Sequence, residues 1–237
     1  MDVLAAAGAD LDRLGDESRE RRTAGAWRWI AGIEVLLCAV AVILDLLIPT
    51  IVMLLLLAVS LLLRRERPSS IGFHRVARPG RMAAIVLGAA VAWTAMEVLL
   101  LIPSLEHLTG QRQVTTDFTA LQGDVGMLML LLAVSWTLAA VGEEAAYRGY
   151  LLTRLTDALG AGRAGAVAAV VISSALFGLA HTEQGLVGVL LSAIDGVFFA
   201  VLRLHFRTLW ASVLAHGFSN TLGLVAFFLV GQVPSPW

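Results

Sequence analysis

The chain has 237 residues, of which 58% are hydrophobic and 15% charged, with a mean hydropathy of +0.83. Apolar residues in long blocks at that density exclude an ordinary soluble domain and point to a polytopic membrane protein. The 17 basic residues, all arginine, nearly balance 18 acidic ones, and a net charge of −1 gives no sign of a nucleic-acid partner.

Residues 1–25 mix Asp10, Asp12 and Asp16 with Arg13, Arg19, Arg21 and Arg22. They lack the apolar core and cleavage site of a signal peptide and read as a cytoplasmic arm. From Trp27 to Leu63 the sequence is nearly all apolar, too long for one crossing of a ~30 Å hydrocarbon core, so a helical hairpin turning between Asp45 and Pro49 fits. Arg21, Arg22 and Arg28 precede the hairpin, and Arg64, Arg65, Arg67, Arg75, Arg78 and Arg81 follow it, which assigns both its ends to the cytoplasm. Cys38, the single cysteine, reads as a small buried hydrophobe within it.

The linker from Arg64 to Arg81 is expected as a basic surface loop with a short interfacial helix near Ile71 to Val76. A third span comes next over Met82 to Ile102, ended by Pro103, with Glu97 reading as a partner within the bundle or, as the alternative, a lining residue of the catalytic cavity. The polar stretch from Ser104 to Gly126, which includes His107, is expected as an outer loop. A fourth helix runs unbroken from about Met127 to Leu159, a fifth from Ala164 to His181, a sixth from Leu186 to Leu204 and a seventh from Leu209 to Val230, leaving Gln232 to Trp237 outside. Asp195 in the sixth is a lining candidate that no motif supports. The expected fold is all-α: a polytopic transmembrane bundle of about seven helices with a membrane-embedded catalytic cavity. Its parts are an arm over 1–25, N-terminal helices and loops over 26–125, and a catalytic core over 126–232.

Charged groups at membrane depth are costly and usually face a protein interior, which singles out Glu143-Glu144-x-x-x-Arg148 in the fourth helix. On a helix, Glu144 and Arg148 fall at i and i+4 and can pair, while Glu143 points aside and stays free. Phe177-x-x-x-His181 and His216-x-x-x-Asn220 each present two residues on one face of a further apolar helix. The set supplies a general base, its partner and two hydrogen-bond donors, which suits water-mediated acyl chemistry. Helix arithmetic puts His181 about 25 Å and His216 about 12 Å along their helices, so a shared depth requires the fifth helix to start lower or its turn to lie inside the membrane.

These three motifs, in this order on successive hydrophobic helices, resemble the CPBP family of intramembrane endopeptidases, the CAAX-protease and bacteriocin-processing group also called Abi. The resemblance covers about residues 126–230, including Leu209-Trp210-Ala211-Ser212. It implies an endopeptidase with Glu143, His181, His216 and Asn220 as catalytic residues: Glu143 and His181 at the water, His216 and Asn220 at the oxyanion. Glu144, Arg148 and Phe177 are then supporting residues. No cofactor is expected, with zinc on Glu143, His181 and His216 the alternative. The expected partners are the lipid bilayer and a membrane-associated or lipidated peptide: a CAAX C-terminus in some members, a bacteriocin leader in others. An arginine-rich chain without lysine fits a bacterial cytoplasmic membrane. A transporter or an immunity scaffold is the non-catalytic alternative.

Overall fold

A computed structural model describes residues 25–115, 120–160 and 162–231. The expected arm, apart from residue 25, and the tail from Gln232 to Trp237 lie outside them, as do Thr116 and Asp117 of the outer loop. The described residues form seven helices and no strand: α1 Gly25–Ile43, α2 Pro49–Arg64, α3 Pro79–Thr109, α4 Val125–Leu159, α5 Arg163–Leu179, α6 Gly185–Phe206 and α7 Leu209–Val230. Five of them, α1, α3, α4, α6 and α7, are long and apolar enough to cross a membrane, while α2 and α5 are shorter apolar helices. Large side chains such as Leu36, Leu62, Leu99, Met129 and Val171 stand exposed on the outside of the bundle. Water would penalise such a surface and lipid tails do not.

The α1–α2 hairpin turns where the sequence indicates. Asp45 and Leu47 take the left-handed conformation, and Pro49 opens α2 at the one position where its missing N–H costs nothing. The linker differs from expectation: its helical turn is a 3-10 segment over Pro68–Ile71, not Ile71 to Val76. Gly72 ends it at φ 108°, and a Cβ there would lie 3.3 Å from the Leu209 side chain. Only glycine lets the linker approach α7 so closely, with the Leu209 N–H bonded to the Gly72 carbonyl at 2.8 Å.

Pro103 does not end α3. The helix widens to π geometry over Glu97–Leu101 and continues through the proline to Thr109. A proline ring clashes with the carbonyl four residues back, and the wider turn moves that carbonyl aside. The outer loop is therefore shorter than expected, starting at Gly110. Asp124 caps α4, accepting from the Met127 N–H at 2.9 Å. Between α5 and α6 the backbones meet closely: a Cβ on Gly178 would stand 2.5 Å from the Val189 carbonyl oxygen, and one on Gly196 would stand 2.8 Å from the Ser174 Cβ. Close approach through small residues is how helices associate without a hydrophobic drive between them.

The ends of the helices are stepped. Leu209, the first residue of α7, and Ile71 of the linker both pack on Gly149 of α4, and α4 continues from there to Leu159, about 15 Å further. Its neighbour α5 starts equally low, since Ser173, well along that helix, bonds the Tyr147 carbonyl at 3.1 Å. The offset between His181 and His216 is thereby absorbed. Glu97 meets Asp195 of α6 in hydrogen-bond contact, and the Trp93 indole donates to Asp195 at 2.9 Å. Glu97 is a partner within the bundle.

Candidate functional site

The middle of α4 carries the site, and from Ser135 to Leu151 this helix is π-helical. Helices of that kind concentrate at functional sites, and nothing in the amino-acid pattern announces it. Glu144 and Arg148 are fully buried and paired, the Arg148 Nη1 donating to Glu144 Oε1 at 3.0 Å. The guanidinium carbon meets an aromatic wall, 4.0 Å from the Phe177 ring centre and 5.4 Å from that of Phe199.

His216 ties α7 to this pair. Its Nδ1 is 3.1 Å from Glu144 Oε1, and its Nε2 is 3.9 Å from Glu143 Oε2. An ionised carboxylate only accepts, so the geometry assigns the Nδ1 proton to the Glu144 bond and turns the Nε2 toward Glu143. Glu144 thus orients an imidazole as well as pairing within its helix, a contact that the i, i+4 spacing does not reveal. Ser212, one turn before His216, reaches the same carboxylate. Phe199 stacks on the His216 ring at 4.8 Å and 12° and fixes the plane of the imidazole. On the far side, the Trp136 indole donates to Thr221 at 3.1 Å and lies where a Gly217 side chain would be, so a Cβ there would strike the ring at 2.5 Å.

His181 stands just past the end of α5, not inside it. Its Nδ1 donates to the Phe177 carbonyl at 2.8 Å, leaving Nε2 available. The Phe177 ring lies between the histidines, 4.7 Å from His181 and 6.0 Å from His216. Glu143 is within electrostatic reach of both imidazoles. The structure therefore brings Glu143, His181 and His216 to one depth, with Phe177 as their common wall. Asn220 comes one turn of α7 after His216 and is half-buried, and its side chain makes no hydrogen bond to another described residue.

Among the described residues, no three histidine, cysteine, aspartate or glutamate side chains converge as ligands for a metal ion. The Nδ1 atoms of both histidines are engaged by Glu144 and a carbonyl. Those bonds leave Nε2 as the one nitrogen each ring could offer a reacting atom or an ion, with Glu143 Oε2 3.9 Å from that of His216.

Phe199, Trp136 and Gly217 are the residues at the site that sequence reading passes over. Aromatic residues in an apolar helix look like core, and the Phe198-Phe199 pair is the one local signal. An all-helical, multi-pass membrane protein with a buried carboxylate–imidazole site is the class that these features define. Residues 125–222, the stretch that holds all three motifs, match the model of the type II CAAX prenyl endopeptidase Rce1-like family. No curated protein and no solved structure matches the chain.

Proposed function

We propose that the chain is an intramembrane endopeptidase that hydrolyses one peptide bond in a membrane-associated or lipidated peptide by a metal-free route, with Glu143 as the base. The observation that carries the proposal is the free Glu143 carboxylate 3.9 Å from an imidazole whose other nitrogen is already fixed. Glu143 takes a proton from water, with His181 holding the same water through its Nε2, and the hydroxide oxygen attacks the carbonyl carbon of the scissile bond. The tetrahedral oxygen receives hydrogen bonds from protonated His216, whose charge Glu144 balances, and from the Asn220 amide; one such donor is commonly worth about 3 kcal/mol. Return of the proton to the leaving nitrogen breaks the C–N bond and releases an amine and a carboxylate.

Arg148 supports this chemistry by position, and Glu144 by both position and charge. The chain division at 25 and 125, a cytoplasmic N-terminus and residence in a bacterial cytoplasmic membrane belong to the same proposal. Their support is the arginine-rich linker at one end of the bundle against Arg112 alone in the opposite loops. The test is cleavage of a membrane-peptide library by purified protein in liposomes. Wild type cuts with or without chelator, and Glu143→Gln, equally folded, does not. Loss of cutting in chelator would restore the zinc reading, and undiminished cutting by Glu143→Gln would end the proposal.

A further inference from the structure

The linker and the first turns of α3 and α7 line an open cavity of about 490 Å³ apart from the site described above. One end of it is polar. Arg75 and His74 line that end together with Gly80, in the first turn of α3. The helix begins at Pro79 with Arg78 as an N-cap that makes no side-chain bond, and nothing lies within 4 Å of where a Gly80 Cβ would stand. The first turn of a long helix therefore offers open amide donors at its positive end. Arg75, Arg78 and Arg81 are all exposed, and none has an ion-pair partner among the described residues.

The other end is apolar. Met82 and Ala83 of α3 face Leu214 of α7 there, and Met82 and Leu214 continue into the cluster that contains Phe199. Trp210 closes the side, 41% exposed and edge-on to Phe73 at 5.2 Å. An amphipathic ring placed so marks the boundary between lipid and water. A largely apolar cavity along two membrane helices, with Arg75 at one end and Arg78 and Arg81 beside it, matches an amphiphile with a negative head. A free phosphate would leave the apolar wall without a partner, and a zwitterionic lipid would leave the arginines uncompensated.

We propose that this cavity binds one anionic phospholipid from the leaflet at the linker end, its phosphate against Arg75 and the start of α3 and an acyl chain along Met82, Ala83 and Leu214. The test uses the full chain in detergent, incubated with equal amounts of phosphatidylglycerol and phosphatidylcholine, with retained lipid read by native mass spectrometry. This assay reads binding and does not depend on the peptidase proposal. Wild type retains one phosphatidylglycerol in preference, and excess glycerol phosphate does not displace it. Each arginine near the anionic head is worth about fivefold, so Arg75→Ala with Arg78→Ala should lower retention by about tenfold or more. Ala83→Trp, which fills the wall and spares the arginines, should lower it too. Arg75→Gln and Ala83→Phe serve as milder replacements should either variant lose its fold. Equal retention of the two lipids, undiminished phosphatidylglycerol in either variant, or displacement by glycerol phosphate overturns the proposal.

Discussion

Two buried arginines on α4, Arg148 and Arg154, live in opposite circumstances. Arg154 is surrounded: its nitrogens reach Asp157 and Glu66 at 2.8 Å and Glu34 at 3.4 Å, and Glu34 is bound in turn by Arg64 at 2.7 Å. Arg148 has one carboxylate, and its Nε and Nη2 have no protein partner. The first cluster joins α1, α2 and α4 at the linker end of the bundle and pairs each of its charges, although the Nε atoms of Arg64 and Arg154 make no hydrogen bond. The second leaves polar atoms unspent, among them one oxygen each of Glu143 and Glu144. A buried group without a partner costs stability, so an arrangement that keeps several together is under another demand, which the proposed chemistry supplies.

That contrast can be broken from either side. The largest effect expected is on activity. Glu143→Gln should lower the rate of peptide cleavage by about 10²–10⁴-fold, the range for a lost general base, with an unchanged melting temperature. Next comes Arg148→Ala, which strands a fully buried Glu144 and should cost about 3–5 kcal/mol in reversible unfolding. Glu144→Gln keeps an oxygen for both Arg148 and His216 but removes the charge that balances an imidazolium; turnover should fall by about 10²-fold or more while the protein still folds. Arg154→Ala should be milder than Arg148→Ala, about 1–2 kcal/mol, because the side chains of Glu66 and Asp157 are 31% and 40% exposed and can turn to water. A melt in which Arg154→Ala is the more damaging would reverse the comparison.

The smallest effect is one of pH. Glu66 lies in the linker, outside the spans. Burial pushes its carboxyl up, but hydrogen bonds from Arg154 and Ser70 and the charges of Arg154 and Arg64 outweigh that and hold it below the ordinary value of 4.5. A carboxyl lowered by folding adds stability above its unfolded value, and the gain is lost as pH falls through the folded one. The melting temperature of wild type should therefore exceed that of Glu66→Gln at pH 7, by about 1 kcal/mol or less in stability, and the two should converge below pH 4.5.

Most helices were readable because their signals are local. Leu209–Val230 appears at its expected bounds, introduced by the Thr208 cap and a left-handed Arg207. Pro103 misled because a proline announces a local clash, whereas its relief, the π turn at Glu97, depends on how α3 packs on its neighbours. The linker helix shifted for a similar reason: Pro68 starts a turn wherever it stands, and the docking of Gly72 on Leu209 decides where that turn ends. At the site, the i, i+4 rule paired Glu144 with Arg148. The bond from Glu144 to His216 joins residues far apart in the chain, and single-sequence spacing carries no trace of it. The motifs named the residues that meet, and the stepped helix ends show how they can.

The π stretch of α4 has a consequence for chain length. Where amides reach back five positions, the helix holds a residue that a tighter ladder would expel. Deleting a single residue between Ser135 and Gly142, Ala139 for example, would remove that surplus and let the coil tighten with its two halves facing as before, whereas the same deletion in the ordinary α turns of Val125–Val134 would swing everything after it by about 100°. In the second case Glu143 would turn from His216 with every motif letter intact. Spacing within this helix is thus as much a part of the machinery as the acids it carries, and related chains should vary in length elsewhere.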